Sequence, residues 1–70
     1  MSLTQPQKDL LLRLQYESLP LTQEARFAED INVLLGRGLL SRDQHDPFAR
    51  LHTSDYGSSL LDAMELAGKL

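Results

Sequence analysis

The chain contains no cysteine and no tryptophan among its 70 residues. Without cysteine it has no disulfide framework, no cysteine-based zinc site and no thiol nucleophile. This absence fits the reducing conditions of the cytosol, and we expect a cytoplasmic protein. Long apolar runs are missing as well, because the charge-free stretch from Ile31 to Gly36 is far shorter than the roughly 18 residues of a membrane span. The stretch from Met1 to Leu21 also lacks a signal-peptide pattern, so we expect neither a membrane-spanning nor an exported protein.

Positive charge is scarce. Seven Lys and Arg residues stand against ten Asp and Glu residues, which gives a formal net charge of -3. This is the wrong sign for a chain that binds the phosphate backbone of nucleic acids by bulk attraction. Nonspecific nucleic-acid binding is therefore disfavoured, although a few well-placed arginines can create a local positive surface on an acidic domain.

Catalytic motifs are absent too. No serine lies in a glycine-flanked nucleophile elbow, and the four glycines form no phosphate-binding loop. Side chains able to bind a metal gather around one expected turn: Asp43, His45, Asp46 and His52. Their spacing matches no metal-site motif, so we interpret them as turn-forming residues on an exposed loop. We predict no enzymatic activity, no cofactor, no metal site and no small-molecule substrate.

The length suits a single domain over residues 1–70, of which 41% are hydrophobic. A domain of this size buries only about 60% of the surface that its unfolded chain exposes. Its stability is then a few kcal/mol, to which a partner or a second copy adds. Homodimerisation therefore stays open.

The first predicted helix runs to about Tyr16. Thr4 is suited to cap it, Gln7 stands three residues later as in a capping box, and Pro6 fits the first turn. Three leucines at helical spacing supply an apolar face, Leu10, Leu11 and Leu14, and Gln7 is a further candidate for the same face.

A second helix is predicted over residues 22–37. Pro20 disfavours helix at Leu19, Thr22 is a good N-cap, and Glu24 lies near the positive end. Its apolar face consists of Phe27, Ala28, Ile31, Leu34 and Leu35. Gly38 then supplies the left-handed residue that commonly ends a helix.

Two short strands are predicted next, over residues 39–42 and 48–52, joined by a turn at 43–47 that is rich in Asp and contains Pro47. Thr53 or Ser54 then caps a last helix, whose apolar face consists of Tyr56, Leu60, Leu61, Met64 and Ala67. The predicted fold class is mainly α with a small β-hairpin (α+β): three helices plus a two-stranded antiparallel element.

Three segments of the chain resemble parts of the winged helix of MarR-like bacterial regulators. Leu3 and Thr4 before Gln7 are similar to the opening helix, residues 34–42 (LLGRGLLSR) to the exit of the recognition helix into the wing, and residues 53–61 (TSDYGSSLL) to the start of the closing helix. The resemblance implies a winged-helix-like domain whose hairpin is the wing. The departure is that only one helix is predicted between the first helix and Gly38, where the family has the two of a helix-turn-helix.

One functional hypothesis is a DNA-binding transcriptional regulator, with residues 22–37 in the major groove and the hairpin on phosphate. The candidate nucleic-acid contacts are Gln23, Arg26, Arg37, Arg42 and Arg50. Against this reading, the same helix carries Glu24, Glu29 and Asp30, which would repel phosphate. The alternative for each arginine is a solvated surface charge, with Arg26 and Asp30 forming an (i, i+4) pair.

The hypothesis that the charge balance favours is a small regulatory module that binds another protein, as an inhibitor or accessory factor. The candidate interface residues are Tyr16, Val33, Glu29 and Asp30. Three further apolar residues are not clearly part of the three helical faces: Leu21, Phe48 and Leu70. We expect Leu21 and Phe48 to complete the core, because so small a domain needs nearly all its large side chains inside.

Overall fold

The computed structural model describes residues 3–68, so Leu70 lies outside the described part of the chain. The elements in order are α1 (Gln5–Tyr16), α2 (Leu21–Glu24), α3 (Ala28–Gly36), β1 (Leu40–Arg42), β2 (Leu51–Thr53) and α4 (Asp55–Leu66). The two strands form one antiparallel sheet. The predicted fold class, mainly helical with a small antiparallel hairpin, is confirmed.

The predicted capping box starts α1. The Gln7 N–H donates to Thr4 Oγ1 over 3.3 Å, and the Thr4 N–H donates to Gln7 Oε1 over 3.1 Å. Pro6 stands in the first turn, where its missing N–H leaves no helical bond unmade. The inward face of α1 is the predicted one, including Gln7: Gln7, Leu10, Leu11 and Leu14 are buried.

The single helix predicted over residues 22–37 is wrong, because the chain forms α2 and α3 with a turn between them. In one straight helix Glu24 would share a face with Phe27 and Ile31, and a carboxylate buried in a leucine core is costly. The turn instead lets Glu24 reach Arg42 while Ile31 is buried. Thr22 also does not cap α2, whose N-cap is Pro20 without a side-chain hydrogen bond.

Gly38 ends α3 as predicted. Its φ of 73° lies in the left-handed region, which glycine enters without a steric penalty. The Gly38 N–H donates to the Leu35 carbonyl over 3.0 Å, and the Leu39 N–H donates to the Leu34 carbonyl over 2.9 Å. This pair of bonds is a Schellman motif, and it directs the chain from α3 into β1.

The hairpin pairs Leu40 with Thr53, Ser41 with His52 and Arg42 with Leu51. Leu19 adds an isolated antiparallel bridge to Leu51, with its N–H 2.9 Å from the Leu51 carbonyl oxygen. The link between α1 and α2 therefore lies along the free edge of β2, and Leu19 is fully buried there.

The strands are shorter than predicted, and the loop between them spans residues 43–50. The Asp46 carboxylate accepts the Phe48 N–H, and the Ala49 N–H donates to the Asp46 carbonyl, so this segment turns instead of pairing. Ala49 has a φ of 48°, which also interrupts an extended strand. Phe48 therefore lies beyond the sheet with 63% of its surface exposed, and its predicted place in the core is wrong.

Ser54 caps α4, because its Oγ accepts the Gly57 N–H over 3.0 Å. Thr53, the other predicted cap, donates its hydroxyl to the Leu11 carbonyl and so joins the hairpin to α1. The predicted apolar face of α4 is only partly correct. Leu61 is buried, whereas Tyr56 is 63% exposed and Gly57 takes the inward place.

The core of the described residues is almost entirely leucine: Leu10, Leu11, Leu14, Leu19, Ile31, Leu34, Leu39, Leu40, Leu51 and Leu61. Phe27 and Leu60 pack against its edge. Leu21 is 46% exposed, so its predicted place in the core is also wrong. It stands at the first position of a four-residue helix that buries none of its residues.

Candidate functional site

One outward face of α1 carries Asp9, Arg13 and Tyr16. Spacings of four and three residues place these side chains in a row on a helix. Tyr16 stands at the end of α1 with 84% of its surface exposed. An exposed tyrosine at the end of such a row is typical of a protein contact, because it offers a large apolar area with a polar tip.

A shallow groove of about 270 Å³ lies between this face of α1 and the start of α3. Its walls are formed by Pro6, Asp9, Leu10, Arg13, Phe27 and Asp30. The apolar members come from both elements, because Leu10 faces the core from α1 and Phe27 is the N-cap residue of α3. Its volume lies just below the range of about 300–1,000 Å³ that is usual for ligand pockets.

Two carboxylates border the groove, and neither forms an ion pair within residues 3–68. Asp9 Oδ1 accepts a hydrogen bond from Gln5 Nε2 over 2.9 Å. Arg13, the cation on the groove wall, is bonded to Glu17 and donates to Gln23 Oε1 over 3.4 Å. Arg13 forms no ion pair with Asp9 or Asp30 within residues 3–68.

The four predicted interface residues are only partly brought together. Asp30 lies in the groove, and Tyr16 shares the α1 face that forms its wall. Glu29 is exposed beside Asp30 in the first turn of α3. Val33 is half-buried, one turn further along α3, and does not line the groove.

The two hairpin arginines that were predicted to contact nucleic acid each form an ion pair with a carboxylate. Arg42 donates to both oxygens of Glu24 over 3.1 and 3.2 Å and to the Ala49 carbonyl over 3.1 Å. The hydrogen bond that Arg42 donates to Glu24 raises the pKa of the Arg42 guanidinium. Arg50 is paired with Asp46, and its guanidinium lies 5.8 Å from the Phe48 ring centre.

The other predicted contacts lie apart from the hairpin pairs. Gln23 accepts from Arg13, and the Arg26 guanidinium lies 5.7 Å from the Phe27 ring centre. The expected Arg26–Asp30 pair is absent from the ion pairs of residues 3–68. Arg37 caps the end of α3, is half-buried and forms no ion pair within the same residues.

The Asp and His side chains of the hairpin loop shape the loop itself. Asp43 Oδ1 accepts the His45 N–H over 2.9 Å, and Asp46 Oδ1 accepts the Phe48 N–H over 2.9 Å. A side chain that accepts an N–H two residues later is an Asx-turn. The hydrogen bond from Arg50, followed by that from the Phe48 N–H, lowers the pKa of Asp46.

Within residues 3–68 no group of three or more His, Cys, Asp or Glu side chains is arranged to hold a metal ion. The helices of the same residues are too short or too polar to cross a membrane.

Sequence reasoning missed the groove residues Pro6, Asp9, Leu10, Arg13 and Phe27 as site residues. The spacing of Asp9, Arg13 and Tyr16 was available as a signal, because it places the three side chains on one face of the first predicted helix. The opposite wall gave no such signal, since it depends on where the turn between α2 and α3 places Phe27.

The chain was compared with protein families, curated proteins and solved structures. No protein-family model, no curated protein and no solved structure matches it.

Proposed function

We propose that this chain is a small non-catalytic module that binds another protein in a regulatory or inhibitory role. The observation that carries the proposal is the distribution of charge. Arg42 and Arg50 on the hairpin are each paired with a carboxylate, while Glu29 and Asp30 stand in the first turn of α3. A surface arranged in this way attracts a basic protein and repels a phosphate backbone.

We further propose that the scaffold is winged-helix-like. The order of α1, α2, α3, hairpin and α4 supports this assignment, with the hairpin as the wing. Because a turn separates α2 from α3, two helices lie between α1 and the hairpin, where the sequence pattern predicted only one. A fold alone does not determine function, so the resemblance does not outweigh the charge of the surface.

The alternative is a DNA-binding transcriptional regulator, and two observations favour it. The order helix, turn, helix, hairpin is the one with which such regulators enter the major groove. Arg26 and Arg37 also form no ion pair within residues 3–68. Two cations beside two acids are, however, a weak basis for phosphate binding.

The first test is affinity capture from cell lysate with the tagged protein, repeated after nuclease treatment and in high salt. A protein partner retained under both conditions, and lost with Tyr16→Asp, supports the module. Tyr16 is 84% exposed, so this change should leave stability within about 0.5 kcal/mol of wild type. Leu66→Asp is the matched control, because Leu66 is 90% exposed on α4. Loss of the partner with both variants or with neither would contradict a contact at Tyr16.

A DNA-binding assay tests the alternative function. Binding of the purified protein to duplex DNA can be followed by fluorescence anisotropy at increasing salt. A DNA-binding domain should lose affinity steeply with salt and should weaken when Arg26 and Arg37 are both changed to Ala. We expect no DNA binding at physiological salt; a complex that depends on these two arginines would overturn the proposal.

A further inference from the structure

The groove between α1 and α3 is small and has both apolar and acidic lining residues. Its volume of about 270 Å³ lies just below the usual range of ligand pockets, and Leu10 and Phe27 give it an apolar lining. A side chain that fills it must therefore have an extended hydrocarbon stem. Leu, Met, Lys and Arg all satisfy this requirement.

The charges at the rim select among these side chains. Asp9 and Asp30 come from opposite walls, and neither has an ion-pair partner within residues 3–68. A cation placed between them would interact favourably with both, and its attraction is stronger in a groove that excludes part of the water. Lysine and arginine combine such a charge with an apolar stem that packs on hydrophobic surface.

Within residues 3–68, neither Arg13 nor Arg26 forms an ion pair with Asp9 or Asp30. Arg13 lines the groove, but its guanidinium is bonded to Glu17 and Gln23. Arg26 lies over the Phe27 ring, at 5.7 Å from its centre, and forms no ion pair with Asp30. The Phe27 ring is therefore already in cation–π contact with Arg26.

We propose that the groove receives a lysine or arginine side chain from the protein partner. The stem packs against Leu10 and Phe27, and the charged end lies between Asp9 and Asp30. Tyr16, on the same face of α1, contacts the partner segment next to that side chain. This inference rests on the proposed protein-binding function and names the chemistry of the segment that is bound.

The probe is a library of random 12-residue peptides displayed on phage and selected on the immobilised full-length protein. Selected peptides are synthesised twice, once as found and once with each Lys or Arg replaced by norleucine, which keeps the stem and removes the charge. Isothermal titration calorimetry gives the affinities, and ¹⁵N-resolved NMR spectra locate the contact. We expect peptides with a basic residue beside an apolar one, and shifts at the amides of Leu10, Phe27 and Asp30.

The matched variants are Asp9→Asn and Asp30→Asn, with Asp62→Asn as the control. Asp62 is exposed on α4 and loses the same charge. Each groove variant should weaken peptide binding about tenfold, as should norleucine, while Asp62→Asn should have no effect. Unfolding by urea checks that all three variants are folded.

The outcomes separate the groove from the wider function. If no peptide is selected, or if those selected are insensitive to Asp9 and Asp30, the groove proposal is overturned. Peptides that bind elsewhere on the protein would leave the protein-binding function standing and remove only the groove. If Asp9→Asn and Asp30→Asn also leave the binding of a partner from lysate unchanged, the groove proposal is overturned and the protein-binding function stands.

Discussion

Gly57 is the residue at which α4 meets the hairpin. A Cβ at this position would lie 2.3 Å from the Leu39 carbonyl oxygen and 2.7 Å from Thr53 Cγ2. The first of these atoms belongs to the backbone, so it cannot move aside by a change of rotamer. The close approach allows the Ser54 hydroxyl to cap α4 and also to donate to the Gly38 carbonyl over 2.7 Å.

We expect Gly57→Ala to lower the free energy of unfolding by about 1–3 kcal/mol, because α4 must shift outward. Gly36→Ala is the control. Gly36 lies in α3 with no atom within 4 Å of an added Cβ, and the change should stabilise by up to about 1 kcal/mol. Urea unfolding followed by circular dichroism measures both. Equal effects of the two variants would show that helix propensity, rather than the contact, determines the result.

At the scale of elements, the hairpin loop is held by side chains instead of strand pairing. Asp46 bonds to Arg50 and to the Phe48 N–H, and Arg42 links the Ala49 carbonyl to Glu24 of α2. The loop is thereby joined to α2. This arrangement fixes the exposed Phe48 in a defined position at the end of the hairpin.

The Asp46 contacts predict a dependence of stability on pH. Its pKa is lower in the folded protein than the ordinary value of 3.8, so its stabilising contribution is complete above that value. The contribution is lost as the pH falls through the lower, folded-state pKa. Asp46→Asn should therefore be less stable than wild type at neutral pH, and the difference should shrink below about pH 4.

Urea unfolding of wild type and Asp46→Asn at a series of pH values between 2 and 7 measures this difference. Asp62→Asn serves as the comparison, since Asp62 is an exposed carboxylate on α4. A gap between wild type and Asp46→Asn that stays constant down to the acid limit would contradict the assigned role of the Arg50 pair.

At the scale of the whole molecule, α4 is attached mainly through its first half. Gly57 and Leu61 are its buried residues, whereas Leu66 in the last turn is 90% exposed. The principal dimensions of 36 × 23 × 18 Å describe an elongated body. For 70 residues a total stability on the order of 4–10 kcal/mol is expected, so each buried leucine matters.

We expect Leu61→Ala to cost about 2–5 kcal/mol, because it leaves a cavity where α4 joins the core. Leu66→Ala should change stability by less than about 0.5 kcal/mol, since that side chain is 90% exposed. Thermal and urea unfolding measure the pair. A large loss with Leu66→Ala would mean that the end of α4 is covered, for instance by a second copy of the chain, and the concentration dependence of unfolding would then identify it.

Much of the architecture could be predicted because its signals are local. The Thr4–Gln7 capping box, the leucine face of α1 and the Gly38 helix end all depend on residues a few positions apart. The groove could be predicted only in part. Tyr16 and Asp30 were identified as surface residues, but Asp9 becomes a neighbour of Phe27 and Asp30 only when α1 and α3 pack together.

The sequence by itself determined the helical class, the start of α1, the end of α3 and the presence of one hairpin, because caps, glycines and apolar spacing act within a few residues. Tertiary structure decided the break between α2 and α3, because only the folded chain brings Glu24 to Arg42 and keeps its carboxylate out of the core. It also decided that Phe48 is exposed and that Gly57 is the contact of α4. These outcomes depend on contacts between residues far apart in sequence, and a local sequence pattern does not predict such contacts.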